Sequence, residues 1–292
     1  MIKKIHYILK AMRPKQWPKN VFVFAALVFD RQLFSLPALR VTAIAMVLFS
    51  LTSSVVYIIN DLADVESDRR HPVKRHRPLA SGDLSKTTAV ITAILLSSLT
   101  FPAAFLLNRH FGLIISAYFI LMLTYSFWLK HIPLIDVMII AAGFVLRVAA
   151  GVVIIETERF SPWLFVATIF LALFIGLGKR RAEIDLLDAG AGSHRQVLAG
   201  YSLTLIDQLL NIVLSTTLMT YCLYTFSSPI TPGNHSMMLT IPFVIYGLFR
   251  YLYLIHIKHI GGAPEEVVLT DMPMLAAIGL WGLTVIIILY FL

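Results

Sequence analysis

Nine apolar runs, each long enough or nearly long enough to cross a bilayer as a helix, leave this chain few ways to fold. They lie near residues 19–36, 41–59, 87–107, 111–129, 133–155, 162–178, 201–225, 238–257 and 272–291. A spanning helix needs about 20 apolar residues. In hydrocarbon every backbone N–H and C=O must bond within the chain, so a run of that length is helical. Composition agrees, with 58% hydrophobic residues, 14% charged residues and a mean hydropathy of +0.82. A soluble domain carries nearly twice that charge. The first run is the weakest because Asp30 and Arg31 interrupt it, although Phe22, Phe24 and Phe29 keep it apolar. The single cysteine, Cys222, excludes an internal disulfide and a Cys-rich metal site. Lys3, Lys4 and Lys10 are not followed by the short apolar core and small-residue site of a cleavable signal.

Charge sets the orientation. Nineteen of the 24 Lys and Arg residues fall in the N-terminal segment and in alternate connections after it, while Arg31, Arg40, Arg109 and Arg159 occupy the other side. The positive-inside rule then puts the N-terminus in the cytoplasm and the C-terminus outside. The expected fold is an all-α polytopic membrane protein, with nine transmembrane helices around a cytoplasm-facing central cavity. It forms a single domain over residues 1–292 of a plasma (inner) membrane of bacterial type. No Walker or Rossmann glycine loop and no histidine spacing suited to zinc is present. No nucleic-acid partner is expected, and the oligomeric state, including a homo-oligomer, is left open.

Residues 60–82, NDLADVESDRRHPVKRHRPLASG, carry the densest chemistry. Asp61, Asp64 and Asp68 recur at spacings of three and four, which stack side chains on one helical face. They follow an apolar run, where a membrane helix meets water. Arg69, Arg70, Lys74, Arg75 and Arg77 come next. Carboxylates hold a hard divalent cation through oxygen, and the cation bridges to phosphate. Arg and Lys take the remaining phosphate charge. Pro72 and Pro78 rule out a simple helix, so His71–Gly82 reads as a loop folding its cations back over the acids. A solvated interfacial loop is the plain alternative, but three acids on one face repel one another unless a cation binds.

Four other stretches add candidates. RPKQWPKN, residues 13–20, is either a basic anchor for anionic headgroups or a cover in which Lys15, Gln16, Lys19 and Asn20 contact phosphate. YSFWLKHIPLID, residues 125–136, offers Tyr125, Lys130 and Asp136. Arg147 lies inside the fifth run on the same helical face as Asp136, Ile140 and Gly143. It is either a functional cation or one satisfied by a neighbouring helix. GKRRAEID, residues 178–185, offers Lys179, Arg180, Arg181, Glu183 and Asp185 as a second charged wall. The loop at residues 261–271 is expected to cap the cavity, with Arg250 as a candidate phosphate ligand.

The stretch Asn60-Asp61, Asp64, Asp68 resembles the first Asp-rich motif of the UbiA-type superfamily of intramembrane prenyltransferases, and Lys74–Pro78 looks like its basic continuation. Nine spans are similar to that family's fold. The resemblance implies Mg2+ held by Asp61, Asp64 and Asp68 with a substrate diphosphate. Members commonly carry a second Asp-rich motif after the sixth span, where this chain has GKRRAEID. With RPKQWPKN and YSFWLKHIPLID, that departure resembles the polyprenyl-phosphate (decaprenyl-type) phosphoribosyltransferase branch. The branch implies transfer of 5-phosphoribose from phosphoribosyl pyrophosphate to a polyprenyl phosphate, for arabinan precursors of the cell wall. Two other readings stand beside it: prenyl transfer from a polyprenyl diphosphate to an aromatic or haem acceptor, and a transporter of anions or lipids.

Overall fold

The computed structural model describes residues 2–157, 161–188, 196–227, 233–260, 267 and 270–292. Arg159, Arg195 and most of the expected cap at 261–271 fall outside these. Among the described residues there is no strand.

The chain opens with α1, Ile2–Met12. Pro14–Phe24 follows as a 3-10 helix that runs directly into α2, Ala25–Phe29. Next come α3 (Leu36–Ala63), α4 (Val65–Arg70), a 3-10 turn at Lys74–His76 and α5 (Pro78–Ser81). The long helices α6 (Lys86–Leu107), α7 (Arg109–Phe127), α8 (Ile135–Ile154) and α9 (Pro162–Asp188) succeed one another. The remainder is α10 (Leu203–Ser227), α11 (Ile241–His256) and α12 (Met272–Phe291).

Among the described residues eight segments are long and apolar enough to cross a membrane: α3, α6 to α10, Ser236–His256 and α12. These account for eight of the nine expected runs. The first run differs. Helical structure begins at Pro14 and stops at Phe29, not at 36, and its first eleven residues are 3-10 rather than α. Pro18 lacks an N–H and clashes with the carbonyl four residues back, which discourages the α-form there. The loop at residues 71–82 also differs, because it contains the 74–76 turn and α5.

The chain divides into two compact units. The first comprises residues 1–27, 33–129 and 146–157; the second comprises 28–32, 130–145 and 158–292. Helix α8 supplies residues to both.

In the first unit α3 is the most enclosed helix, with 56% of its span window buried, whereas α6 has only 17%. Exposed Ile91, Ile94, Leu95, Leu99 and Leu106 on α6 present an apolar surface of the kind lipid covers. Helix α3 carries buried Thr42, Ser50, Thr52, Ser53 and Ser54, each donating its hydroxyl to the carbonyl four residues earlier. That bond satisfies a hydroxyl in an apolar setting without a partner from elsewhere. At Gly151 of α8, an added Cβ would collide with the Val23 carbonyl, so only glycine permits this close backbone approach. In the second unit the core gathers Val137, Phe174, Leu177, Leu210, Tyr251 and Ile255.

Candidate active site

The acidic stretch is not one helix. Helix α3 ends at Ala63 and α4 begins at Val65, with Asp64 between them at φ −94° and ψ 6°. Asp61 and Asp68 are both 2% exposed, while Asp64 is half-buried. Of the cations expected to fold back over the acids, Arg77 does so. Arg77 Nη1 donates to Asp61 Oδ1 at 3.1 Å and to Asp68 Oδ2 at 2.7 Å. Arg13 Nη2 also donates to Asp61 Oδ1. Arg13 has a left-handed backbone, φ 54°, at the junction of α1 and the 3-10 helix, and its guanidinium lies 5.0 Å from the Tyr57 ring centroid. Two buried carboxylates thus converge on a single cationic nitrogen, and a second guanidinium shares one of their oxygens.

The surrounding cations are outward. Lys74 and Arg75 are exposed, as is Lys15, while Arg77 and Lys19 are half-buried. His71 holds the turn. Its Nδ1 accepts from the Val73 and Lys74 N–H groups at 3.1 and 3.3 Å, so the ring is bonded as a neutral acceptor. Burial first, and the Lys74 charge second, lower its pKa from the ordinary value. Asn60 is half-buried, and its carbonyl accepts the Asp64 N–H at 2.9 Å.

Asn20 and Arg147, expected near substrate, meet in the interior of the first unit. Arg147 is 5% exposed and Asn20 1%. Arg147 Nε donates to Asn20 Oδ1 at 2.7 Å and Nη2 to Tyr118 Oη at 3.1 Å. Its guanidinium lies 4.9 Å from the Tyr118 ring centroid and 5.2 Å from that of Phe49. Asn20 Nδ2 in turn donates to Ser50 Oγ at 2.9 Å. Tyr125 is half-buried near the end of α7.

The second unit carries its own ionic cluster. Asp136 is fully buried and Arg180 is 1% exposed. Arg180 Nε donates to Asp136 Oδ2 at 2.7 Å, and Arg180 Nη1 pairs with Glu183. Tyr201 Oη donates to Asp136 Oδ1 at 2.6 Å and accepts the Leu134 N–H at 2.6 Å. Burial, then the bond to Asp136, raises the Tyr201 pKa well above that of an ordinary phenol. A buried ion pair survives only when every remaining donor and acceptor is met, and this one is met from three elements. Lys179 is half-buried, as is Lys130. Arg181 pairs with Asp207 at 2.7 Å, and Asp185 with His259 at 2.5 Å. Arg250, a candidate phosphate ligand by sequence, forms a two-pronged pair with Asp271 at 2.8 and 3.1 Å.

The UbiA prenyltransferase family profile matches residues 20–272. The chain belongs to the UbiA prenyltransferase family. This UbiA-family chain is 34% identical over 290 residues to a Corynebacterium glutamicum protein named decaprenyl-phosphate phosphoribosyltransferase, covering 97% of the chain and 86% of the relative. A Mycobacterium tuberculosis protein of the same name is 31% identical over 268 residues, covering 90% and 88%. Its fold matches that of a UbiA homologue from Archaeoglobus fulgidus, solved bound to GPP and Mg2+. That match has a TM-score of 0.70 and 20% identity, over 96% of this chain and 99% of the other.

Among the described residues no three or more His, Cys, Asp or Glu side chains gather as a metal site. Mg2+, however, commonly binds through only one or two carboxylates and completes its shell with water and substrate phosphate. Asp61 and Asp68 meet that requirement: both are carboxylates, and their oxygens already converge on one cationic centre. The donor set of this UbiA-family chain therefore fits a divalent cation.

The sequence named Asp61, Asp68 and Arg77, which the structure brings together, and did not single out Arg13, Tyr118 or Tyr201, which join such clusters. Arg13 stood in the basic N-terminal stretch, but nothing in its spacing tied it to Asp61.

Proposed function

We propose that this chain transfers the 5-phosphoribosyl group of phosphoribosyl pyrophosphate to the phosphate of a polyprenyl lipid of the decaprenyl type. The anomeric carbon–oxygen bond to pyrophosphate breaks, an oxygen of the lipid phosphate bonds to that carbon, and pyrophosphate leaves. The convergence of buried Asp61 and Asp68 on one cationic nitrogen, beside an exposed basic turn, carries this reading. The names of the curated relatives supply its donor and acceptor.

Asp61 and Asp68, with Asp64 between them, would hold Mg2+, which when bound would offset charge on the pyrophosphate. Lys74, Arg75 and Arg77 bring cations to the same leaving group, and Lys15 and Lys19 stand on the N-terminal segment for phosphate contact. No general base is required, because the lipid phosphate is anionic near neutral pH. The work left to the side chains is positioning and charge compensation. Lys179 is the cation of the second cluster suited to a further phosphate. Asp136, Arg180 and Glu183 hold that cluster together, with Asn60, Tyr125, Lys130 and Arg147 as further contacts or supports of the reactants.

The Lys and Arg asymmetry supports a plasma-membrane location with this chemistry on the cytoplasmic side. The family match runs across both units, which supports one functional domain over residues 1–292.

Radiolabelled phosphoribosyl pyrophosphate, Mg2+ and a polyprenyl phosphate are given to the purified protein, and label is followed into the organic phase. Transfer that a chelator stops, and that Asp61→Asn or Asp68→Asn reduces by at least about a hundredfold, is the expected result. Consumption of a polyprenyl diphosphate with an aromatic acceptor instead would transfer the assignment to prenyl chemistry.

A further inference from the structure

We infer that Arg13 and Arg77 are exchangeable partners of the acidic pair. They hold Asp61 and Asp68 until a divalent cation takes those oxygens, and then carry their charge onto the diphosphate of the substrate. This rests on the diphosphate chemistry proposed above, and it gives Arg13 a role that the sequence does not suggest.

The asymmetry of the cluster supports it. Asp61 and Asp68 are 2% exposed and sit on helices, so their oxygens are fixed. The side chains of Arg13 and Arg77 are each 25% exposed. Both arise from linking residues rather than helix interiors. Arg13 occupies the left-handed junction before the 3-10 helix, and Arg77 is an extended residue, φ −69° and ψ 143°, between the 74–76 turn and α5. The basic arms are therefore the side that can move.

Charge points the same way. Two guanidiniums balance two carboxylates. A divalent cation on the same oxygens would lie within about 3 Å of each guanidinium nitrogen if nothing moved, a repulsive arrangement. Displaced guanidiniums would face the phosphate oxygens that accompany the metal, and a planar fork binds phosphate at least as well as carboxylate. The Tyr57 ring beneath Arg13 gives its guanidinium a surface that does not depend on the carboxylate.

The role predicts opposite effects on two ligands. In the full-length protein in detergent, Mn2+ alone is titrated by electron paramagnetic resonance, and Mg-pyrophosphate by calorimetry. Arg13→Gln removes a competitor, so Mn2+ alone should bind roughly three- to tenfold tighter, while Mg-pyrophosphate binds weaker by a similar factor, the scale of the net contribution of one hydrogen bond. Mn2+ should also raise the melting temperature of this variant more than that of the wild type. Should Arg13→Gln fail to fold, Arg13→Lys keeps the charge but loses the fork. Mn2+ affinity then stays at or above wild type and pyrophosphate affinity falls. If the folded variant weakens both ligands together or changes neither, Arg13 is a structural ion-pair partner and the inference is overturned. Neither readout uses phosphoribosyl transfer. Opposite shifts without transfer activity would leave the exchange intact and reject only the assigned donor.

Discussion

Arg147 shows what a single buried guanidinium does here. Its fork donates in two directions, to Asn20 and Tyr118, while its faces meet two aromatic rings. An ammonium cannot reproduce that geometry. Arg147→Lys should therefore destabilise the protein by about 2–3 kcal/mol, read as a lowered melting temperature in detergent. Catalysis then fails because the fold loosens. At this scale the sequence was half legible. The acids announced themselves because their spacing is local. Their partners did not, because Arg13 lies 48 residues from Asp61 and Arg180 lies 44 from Asp136. Only the path of the chain brings such pairs together. For Arg13 that path includes a left-handed turn on a non-glycine residue, which no composition rule anticipates.

At the scale of elements, helix ends decide more than helix interiors. Asp271 caps α12, accepting the Met274 N–H at 2.9 Å, and also receives the two-pronged Arg250 pair. The bond from Arg250 is the main cause of a lowered Asp271 pKa. A depressed carboxylate contributes stability that is present above its unfolded pKa, about 3.9, and is lost as pH falls through the lower folded value. Asn caps a helix as well as Asp does. Asp271→Asn should therefore keep the helix end but flatten the loss of melting temperature between about pH 5 and pH 3. The long apolar helices were legible because their length and hydropathy are forced by the bilayer, although α9 runs on to Asp188, past the expected end at 178, through the charged stretch 179–188 that hydropathy does not read as helix. The break at Asp64 was not, since spacings of three and four fit one continuous helix as well as two. The short helices inside 71–82 were also hidden, because prolines there mark where a helix cannot pass and say nothing of the single turns between them.

At the scale of the molecule the first helical segment matters most. Whether Pro14–Phe29 crosses decides the parity of the whole chain. A crossing there would add a ninth span to the eight long helices and put the two termini on opposite sides of a membrane. The Lys and Arg distribution is the one that the positive-inside rule associates with that arrangement. Reporter fusions at residues 1 and 292 should accordingly give opposite compartment signals, and equal signals would remove the crossing. The geometry makes the crossing feasible. Eleven 3-10 residues rising about 2.0 Å each and five α residues rising about 1.5 Å reach roughly 30 Å, the thickness of a hydrocarbon core. The same sixteen residues as α-helix would fall about 6 Å short.

That economy has a cost during biosynthesis. Residues 14–20 are polar, and only Val21–Phe29 is continuously apolar, about half the hydrophobic length on which a membrane helix enters lipid unaided. In the folded chain Val23, Ala26 and Leu27 are fully buried, so protein rather than lipid clothes them. Of the nine apolar runs this is thus the one least able to partition by itself. A crossing by this segment would therefore depend on helices made after it, and the amino-terminal half would complete its packing only once they are present.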